Sequence, residues 1–518
     1  MEDSTSGPNR RAVGLRELLR QAGDVVPTPL VSYYAAGTLR QERHFDGYSE
    51  ITIPARSAPT SLLGHLKFAI KNEALDLRVW HVIAAKLGPD PFLTWIKSEP
   101  TGRHSRRAWY LYEGLTNSLL PVDDASVTNY VPLADHELQL TARARKSSRH
   151  RVADNLLGTF EFCPLVRNSA KIRSAGGSDL KLRAQRAIDG IDPKDLRRAT
   201  DYLYHKESKA SFQIEKEEIS MSRMERFVSA LRSVAYTRWY NESELVALQN
   251  AIVDPRYVEA SYRTIQNYVG QTLTWGKERV HYPCPPPQEV RALMEGWRAT
   301  LFRTVTMEDA VCQAAILGFG FVFIHPFEDG NGRIHRFLIH ATLVRRHFTP
   351  DGVVIPVSAT MLRRMDRYDA TLEAFSKPLL RVIEYSLDTE GRMTIDHFPA
   401  PIYKFWDATP QCEYLYDALA EAVDVDLPEE LRTLRTYDAA RRAVLSVVDM
   451  PDRKLDLLTH LLLQNNFRLA RRKREAFAEI SDPELSSIEM AVREACEIGS
   501  FEPGLGPHQP SLADDLLG

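Results

Sequence analysis

Several things are scarce in this chain. Only five cysteines occur in 518 residues, Cys163, Cys284, Cys312, Cys412 and Cys496. They are widely scattered and form no Cys-x-x-Cys pair, so neither a zinc site nor a disulfide framework is expected. A reducing, cytoplasmic location fits that usage. Long apolar runs are missing too. Ile316 to Ile324 is about half the length needed to span a bilayer, and Met1-Glu2-Asp3-Ser4-Thr5 lacks the basic-then-apolar start of a secretory leader. No membrane partner is expected. Charge of one sign is not in excess either: a net charge of −3 gives no general pull toward nucleic acid or anionic lipid. His335, His340 and His347 do not make His-Glu-x-x-His spacing and read as surface or packing residues, not zinc ligands.

What is present is the composition of a soluble globular protein, 44% hydrophobic and 26% charged, long enough for two or three domains. Residues 1–175 read as a mixed region. Helical apolar spacing runs through Ser61 to Ala85 and again through Arg106 to Leu120, where Pro121 is expected to end the helix. The basic run Arg143 to Arg151 reads as a solvated face or the partner of an internal acid. Ser174-Ala175-Gly176-Gly177-Ser178 reads as a linker, and Asp192-Pro193 as the start of a helix. From there to about residue 390 the pattern is helical, except for a hairpin within Gln271 to Pro287 with Gly276 at its turn. Residues 396–518 read as a further helical region, with Leu455, Leu458 and Leu462 at helical spacing and a solvated basic stretch, Arg468 to Arg474.

The densest chemistry lies in His325-Pro326-Phe327-Glu328-Asp329-Gly330-Asn331-Gly332-Arg333-Ile334-His335-Arg336. An imidazole can take a proton near neutral pH. A carboxylate, Asp329, can hold a hard metal ion. Gly330 and Gly332 let backbone N–H groups approach an anion. Arg333 and Arg336 offer planar forks for phosphate oxygens. Ala314 to Ile324 before it reads as a buried helix ended by Pro326, and a new amphipathic pattern follows Gly332. The loop Glu328 to Gly332 thus feeds a helix N-terminus, where unpaired N–H groups and the helix dipole favour anions.

The motif resembles the signature of the Fic family, His-Pro-Phe-x-Asp-Gly-Asn-Gly-Arg-x-x-Arg. The resemblance extends over about 200 residues, through Arg263-Thr264-Ile265-Gln266, the hairpin and Pro285-Pro286-Pro287, to Tyr368-Asp369-Ala370-Thr371-Leu372. It implies a mainly α fold: a helical Fic core at 221–395 with a small hairpin flap, a mixed N-terminal region and a C-terminal helical region. It implies transfer of AMP from ATP to a protein Ser, Thr or Tyr hydroxyl. His325 matches the general base and Asp329 the ligand of Mg²⁺ or Mn²⁺. Asn331 and the amides of Gly330 and Gly332 would line the anion site, Arg333 would hold the same phosphates, and Arg336 would clamp the γ-phosphate. Phe327 would anchor the loop and Tyr368 close the adenine pocket. The flap would hold an extended target segment by its strand edges.

Upstream, within 176–220, Ser211-Phe212-Gln213-Ile214-Glu215 resembles the Ser/Thr-x-x-x-Glu pattern of the inhibitory helix of the family's class II type. Ser211 and Glu215 would share one helix face, and Glu215 would pair with Arg336 and so block the γ-phosphate. The family pattern continues with Gly or Asn, whereas Lys216 follows here. The resemblance leaves open transfer of UMP, phosphocholine or phosphate, and removal of AMP from a target. The kinase-like branch has Lys where this chain has Gly332, which argues against phosphorylation. A regulatory protein with a vestigial core is the reading from another class, and the intact His325, Asp329, Arg333 and Arg336 speak against it. The target protein, the chain itself included, and formation of a homodimer are left open.

Overall fold

The computed structural model describes residues 11–23, 26–27, 30–35, 40–45, 48–54, 57–175, 177–189, 193–217, 220–234, 238–274, 277–349 and 353–498. It is mostly helical with small β-sheets, and no helix among the described residues is long and apolar enough to cross a membrane. The chain divides into two compact units, one of residues 1–185 and 204–421, the other of 186–203 and 422–518. The mixed N-terminal region and the expected core thus fall within one unit.

The first unit begins with a four-stranded sheet in the spatial order Arg11–Val13, Leu30–Ala35, Tyr48–Pro54, Gln41–Phe45. Its central pair is parallel and the outer pairs are antiparallel. Val13, Ile51 and Ile53 point to one buried face. The expected single helix over Ser61 to Ala85 is instead two, Leu62–Asn72 and Leu77–Leu87. The break comes from two carboxylates. Glu73 turns inward to accept from Leu15 N and Ser32 Oγ, and Asp76 caps the second helix through Arg78 N. Leu66, Ile70, Trp80, Ile83, Trp95 and Trp109 fill the core between these helices and their successors. Helix Arg103–Thr116 ends before Pro121 is reached, because Asn117 turns left-handed at φ 51°. The basic run has an internal acid: Arg149 and His150 both bond Glu113, and Arg149 also reaches Asp124.

Between helices Ala170–Ala175 and Gly177–Ile188 only Gly176 intervenes, and it lies outside the described residues, as does Asp192. Helix Pro193–Ile214 follows, its residues from Tyr204 on belonging to the first unit. The heart of that unit is the apolar helix Ala310–Ile324, buried almost throughout, against helix Asn331–Arg345. Gly318 allows the contact: a Cβ there would stand 2.8 Å from Ile339 Cγ1. Helix Pro287–Thr304 flanks them and donates Trp297 Nε1 to Leu317 O.

The flap hairpin pairs Tyr268–Thr274 with Lys277–Pro283, beginning earlier than expected; Trp275 and Gly276 lie outside the described residues. A second hairpin, Glu384–Leu387 with Met393–His397, interrupts a stretch expected to be helical up to about residue 390. Asp388 accepts from Arg392 N and Gly391 adopts φ 77°, a turn no helix accommodates. In the second unit, helices Leu427–Leu445, Asp452–Gln464 and Asp482–Ile498 bury Val444, Leu455, Leu458, Leu462, Ile488 and Val492 together. The stretch Arg468 to Arg474 is mostly solvated, with Arg474 paired to Asp482.

Candidate active site

Helix Ala310–Ile324 stops at His325, which adopts the left-handed φ of 54° while its N–H still bonds Phe321 O. Pro326 disfavours a helical residue before it, and the chain turns there. His325 Nδ1 sits 3.2 Å from Val322 O. With the proton on Nδ1, donated to that carbonyl, Nε2 keeps a free lone pair. The imidazole does not titrate near neutrality, as a free one would. Loss of hydration, then the nearby Arg263 guanidinium, push it down to about 4. Arg263 also fixes the backbone. Its Nε donates to His325 O, its N–H to Pro326 O, and its Nη1 and Nη2 to Ile265 O and Pro285 O. One buried guanidinium thereby joins the histidine to the foot of the flap.

Phe327 is fully buried, against Tyr262 and Phe321. Asn331 is buried too, and both ends of its amide turn back into the loop. Its Oδ1 accepts from Phe327 N and its Nδ2 donates to Phe327 O. The structure therefore makes Asn331 the staple that closes the loop, and leaves the lining to backbone and arginines. Gly330, at φ 91°, precedes helix Asn331–Arg345, so the helix takes in the last two residues of the expected loop. Asp329 Oδ1 accepts from Gly330 N at 2.6 Å and from Arg333 Nη2 at 2.7 Å.

Both arginines rise from the first turns of that helix, and each is about 1% exposed. Arg336 donates Nε to Ser211 Oγ at 2.8 Å, and Nη2 to Ser211 O and Glu215 Oε1, each at 2.7 Å. Burial alone would lower its pKa, but Glu215 and Tyr368 outweigh burial and hold it above the ordinary value. Gly332 makes the approach possible: a Cβ there would stand 2.1 Å from Glu215 Oε1. Tyr368 is buried beside Arg336, its ring 6.1 Å from that of His335, and burial pushes its phenol up to about 12. His335 and His340 are buried packing residues; His340 Nε2 meets Glu207 Oε1 at 2.5 Å, and His347 is exposed.

Glu215 lies just past helix Pro193–Ile214, in a turn completed by Lys216 at φ 57°. Left-handed backbone is where Gly and Asn are at home, so Lys216 holds a conformation that is costly for a side chain. The turn presents a carboxylate that sequence reasoning passed over. Glu217 takes Arg333 at both ends, Nη1 to Oε2 at 2.9 Å and Nη2 to Oε1 at 2.8 Å, and takes Arg223 Nη2 on Oε2 at 2.5 Å. Nothing local marked it, since Glu217 and Glu218 together look like a solvated acidic pair. Arg263 was legible only as part of the flap resemblance.

The constellation brings His325, Asp329, Arg333, Arg336, Ser211 and Glu215 to one helix N-terminus. A crystal structure of a Fic family protein from Desulfovibrio desulfuricans G20 is similar at 20% identity, over 61% of this chain and 90% of that one, with a TM-score of 0.39. A Fic domain containing signaling protein from Bacteroides thetaiotaomicron VPI-5482 is similar at 19% identity, over 50% and 97%, with a TM-score of 0.36. Residues 239–343, which hold the loop, both arginines and the flap, match the Fic/DOC family model, and this segment is a Fic/DOC family domain.

Proposed function

We propose that the protein transfers AMP from ATP to a hydroxyl of a protein, and that Glu215 restrains it. The observation that carries this reading is a neutral histidine beside a helix N-terminus whose two buried guanidiniums are each occupied by a carboxylate. A carboxylate on an arginine fork stands where a phosphate would be held.

His325 Nε2 would accept the proton of the target hydroxyl as that oxygen bonds to the α-phosphorus and the bond to pyrophosphate breaks. Arg333 would hold the phosphates and Arg336 the terminal one. Asp329 fits a metal already carried by phosphates: its side chain is 39% exposed, and among the described residues no cluster of three or more His, Cys, Asp or Glu could hold an ion alone. Mg²⁺ or Mn²⁺ bound there would neutralise charge on the phosphates. The flap strands would align the target segment by main-chain bonds. With Glu215 on Arg336, the γ-phosphate lacks its clamp, and ATP sits out of line for attack.

The test is incubation of wild type and Glu215→Gly with each labelled nucleotide and Mg²⁺, followed by mass spectrometry of the protein and of added candidate targets. A mass increase of one AMP that disappears with His325→Ala supports the reading. Addition of phosphate or of another nucleotide would replace it.

A further inference from the structure

Glu217 holds two arginines, and each arginine has other anchors besides it. Arg223 stands in the first turn of helix Met221–Ser233, and Arg333 in that of helix Asn331–Arg345. Both lie against the same ring, with guanidinium carbons 5.2 Å and 5.3 Å from the centre of Phe212. Both also donate to one carbonyl, Ile252 O, at 3.4 Å. A shared aromatic face and a shared acceptor keep two like charges side by side, an arrangement that needs an anion between them. Each guanidinium also keeps a buried Nε with no acceptor among the described residues.

The burial is lopsided. The Arg333 and Arg223 side chains are 1% and 11% exposed, whereas that of Glu217 is 27% exposed. The cations belong to the core, and the carboxylate comes from a turn at its edge. That turn contains Lys216 in left-handed backbone, one residue from each carboxylate. Anything that relaxes Lys216 loosens Glu215 and Glu217 together.

We propose that Arg223 and Arg333 form a preassembled two-guanidinium seat for a phosphate group, and that Glu217 is its resident stand-in. Arg223 is then a phosphate ligand that the motif does not contain, and the restraint has two carboxylates, one for each motif arginine. This rests on the reading of Arg333 as a phosphate ligand. It adds that removing Glu215 alone leaves Arg333 and Arg223 still occupied.

Inorganic pyrophosphate, titrated calorimetrically into the full chain in chelator, tests the seat without any transfer step. Glu217→Gln, with an unchanged melting temperature, should bind pyrophosphate at least tenfold more tightly than wild type, a difference of about 1.4 kcal/mol. Arg223→Gln in the Glu217→Gln background should abolish that gain. Should Glu217→Gln melt early, Glu217→Asp keeps the charge, shortens the reach, and carries the same comparison. Equal affinities, including no detectable binding in either protein, would overturn the proposal, as would a gain that survives the loss of Arg223. Because the readout is binding, a failure of AMP transfer in Glu215→Gly would leave its outcome intact.

Discussion

Replacing Glu215 with glycine takes one carboxylate off a buried guanidinium and leaves the rest of its seat standing. Arg336 keeps Ser211 Oγ and Ser211 O, so the fork stays aimed while one of its donors falls free. The lost bond, at 2.7 Å, joins two charges. Bonds of that kind contribute about 1.5–3 kcal/mol when desolvated. Glu215 is 34% exposed, so water screens part of the interaction, and the low end is the working figure. A difference of about 1.5 kcal/mol is roughly a tenfold shift toward a free clamp. The assay is label transfer from ATP marked on its α-phosphate, with wild type and variant side by side. About tenfold more labelling is expected. Glu215→Gly combined with Arg336→Ala should fall back to the low level, because both changes act on one pair. Unchanged labelling by a folded Glu215→Gly, with a target that wild type labels, would refute the restraint while leaving the loop chemistry intact.

His325→Ala should cost about 10²- to 10⁴-fold in labelling, the usual range for a lost general base, with nucleotide binding retained. Asp329→Ala should lower the rate and flatten its dependence on Mg²⁺; full activity of wild type in excess chelator would refute the metal assignment. With the imidazole pushed down to about 4, NMR titration should find His325 neutral throughout pH 5–8. His335 is pushed from an ordinary 6.5 to about 3 by burial, then by Arg336. As pH falls from 6.5 toward 3, the unfolded chain therefore takes up a proton that the native state refuses, and its contribution to stability should fall with it. Lys216→Gly relieves a left-handed position that costs a side chain about 1 kcal/mol, so it should raise the melting temperature and lower labelling. Gly332→Ala should release Glu215 from Arg336 by steric conflict, seen as faster proteolysis of the turn at 215–217.

The loop was legible because its chemistry is local. Twelve contiguous residues carry it, and Pro326 and Gly330 mark the ends of the two helices around it. The helix over Ser61 to Ala85 was misread because apolar spacing continues across the break, while the cause of the break, Glu73 reaching Leu15 and Ser32, lies far off in the chain. The second hairpin did leave a trace. Tyr385 and Leu387, then Met393 and Ile395, alternate around a turn at Asp388 to Gly391, but the helices on either side overrode it. Glu217 left none. Its meaning depends on Arg333, more than a hundred positions on, and on a ring, Phe212, that sequence places only as an apolar residue of a helix.

Four residues before Ser211, Glu207 is tied on two sides, by His340 Nε2 and by Ser358 N. All of Glu207, Ser208, Ser211 and Phe212 are buried. The helix that bears the proposed restraint is thus riveted to the first unit at Glu207, about two turns before Glu215. Withdrawal of the whole helix would carry Glu207 away and leave the His340 imidazole and the Ser358 N–H without their partner in the core, at about 1–3 kcal/mol each. Opening of the turn at 215–217 leaves Ser211 and Phe212 in place and withdraws only the carboxylates of Glu215 and Glu217, which are 34% and 27% exposed, from their buried arginines. If Glu215 restrains the site as proposed, activation would be a melting event of three peptide units, 215–217. Its amides should exchange with solvent while those of Tyr204 to Ser211 stay protected, and a ligand need grip no more than that turn to govern the enzyme.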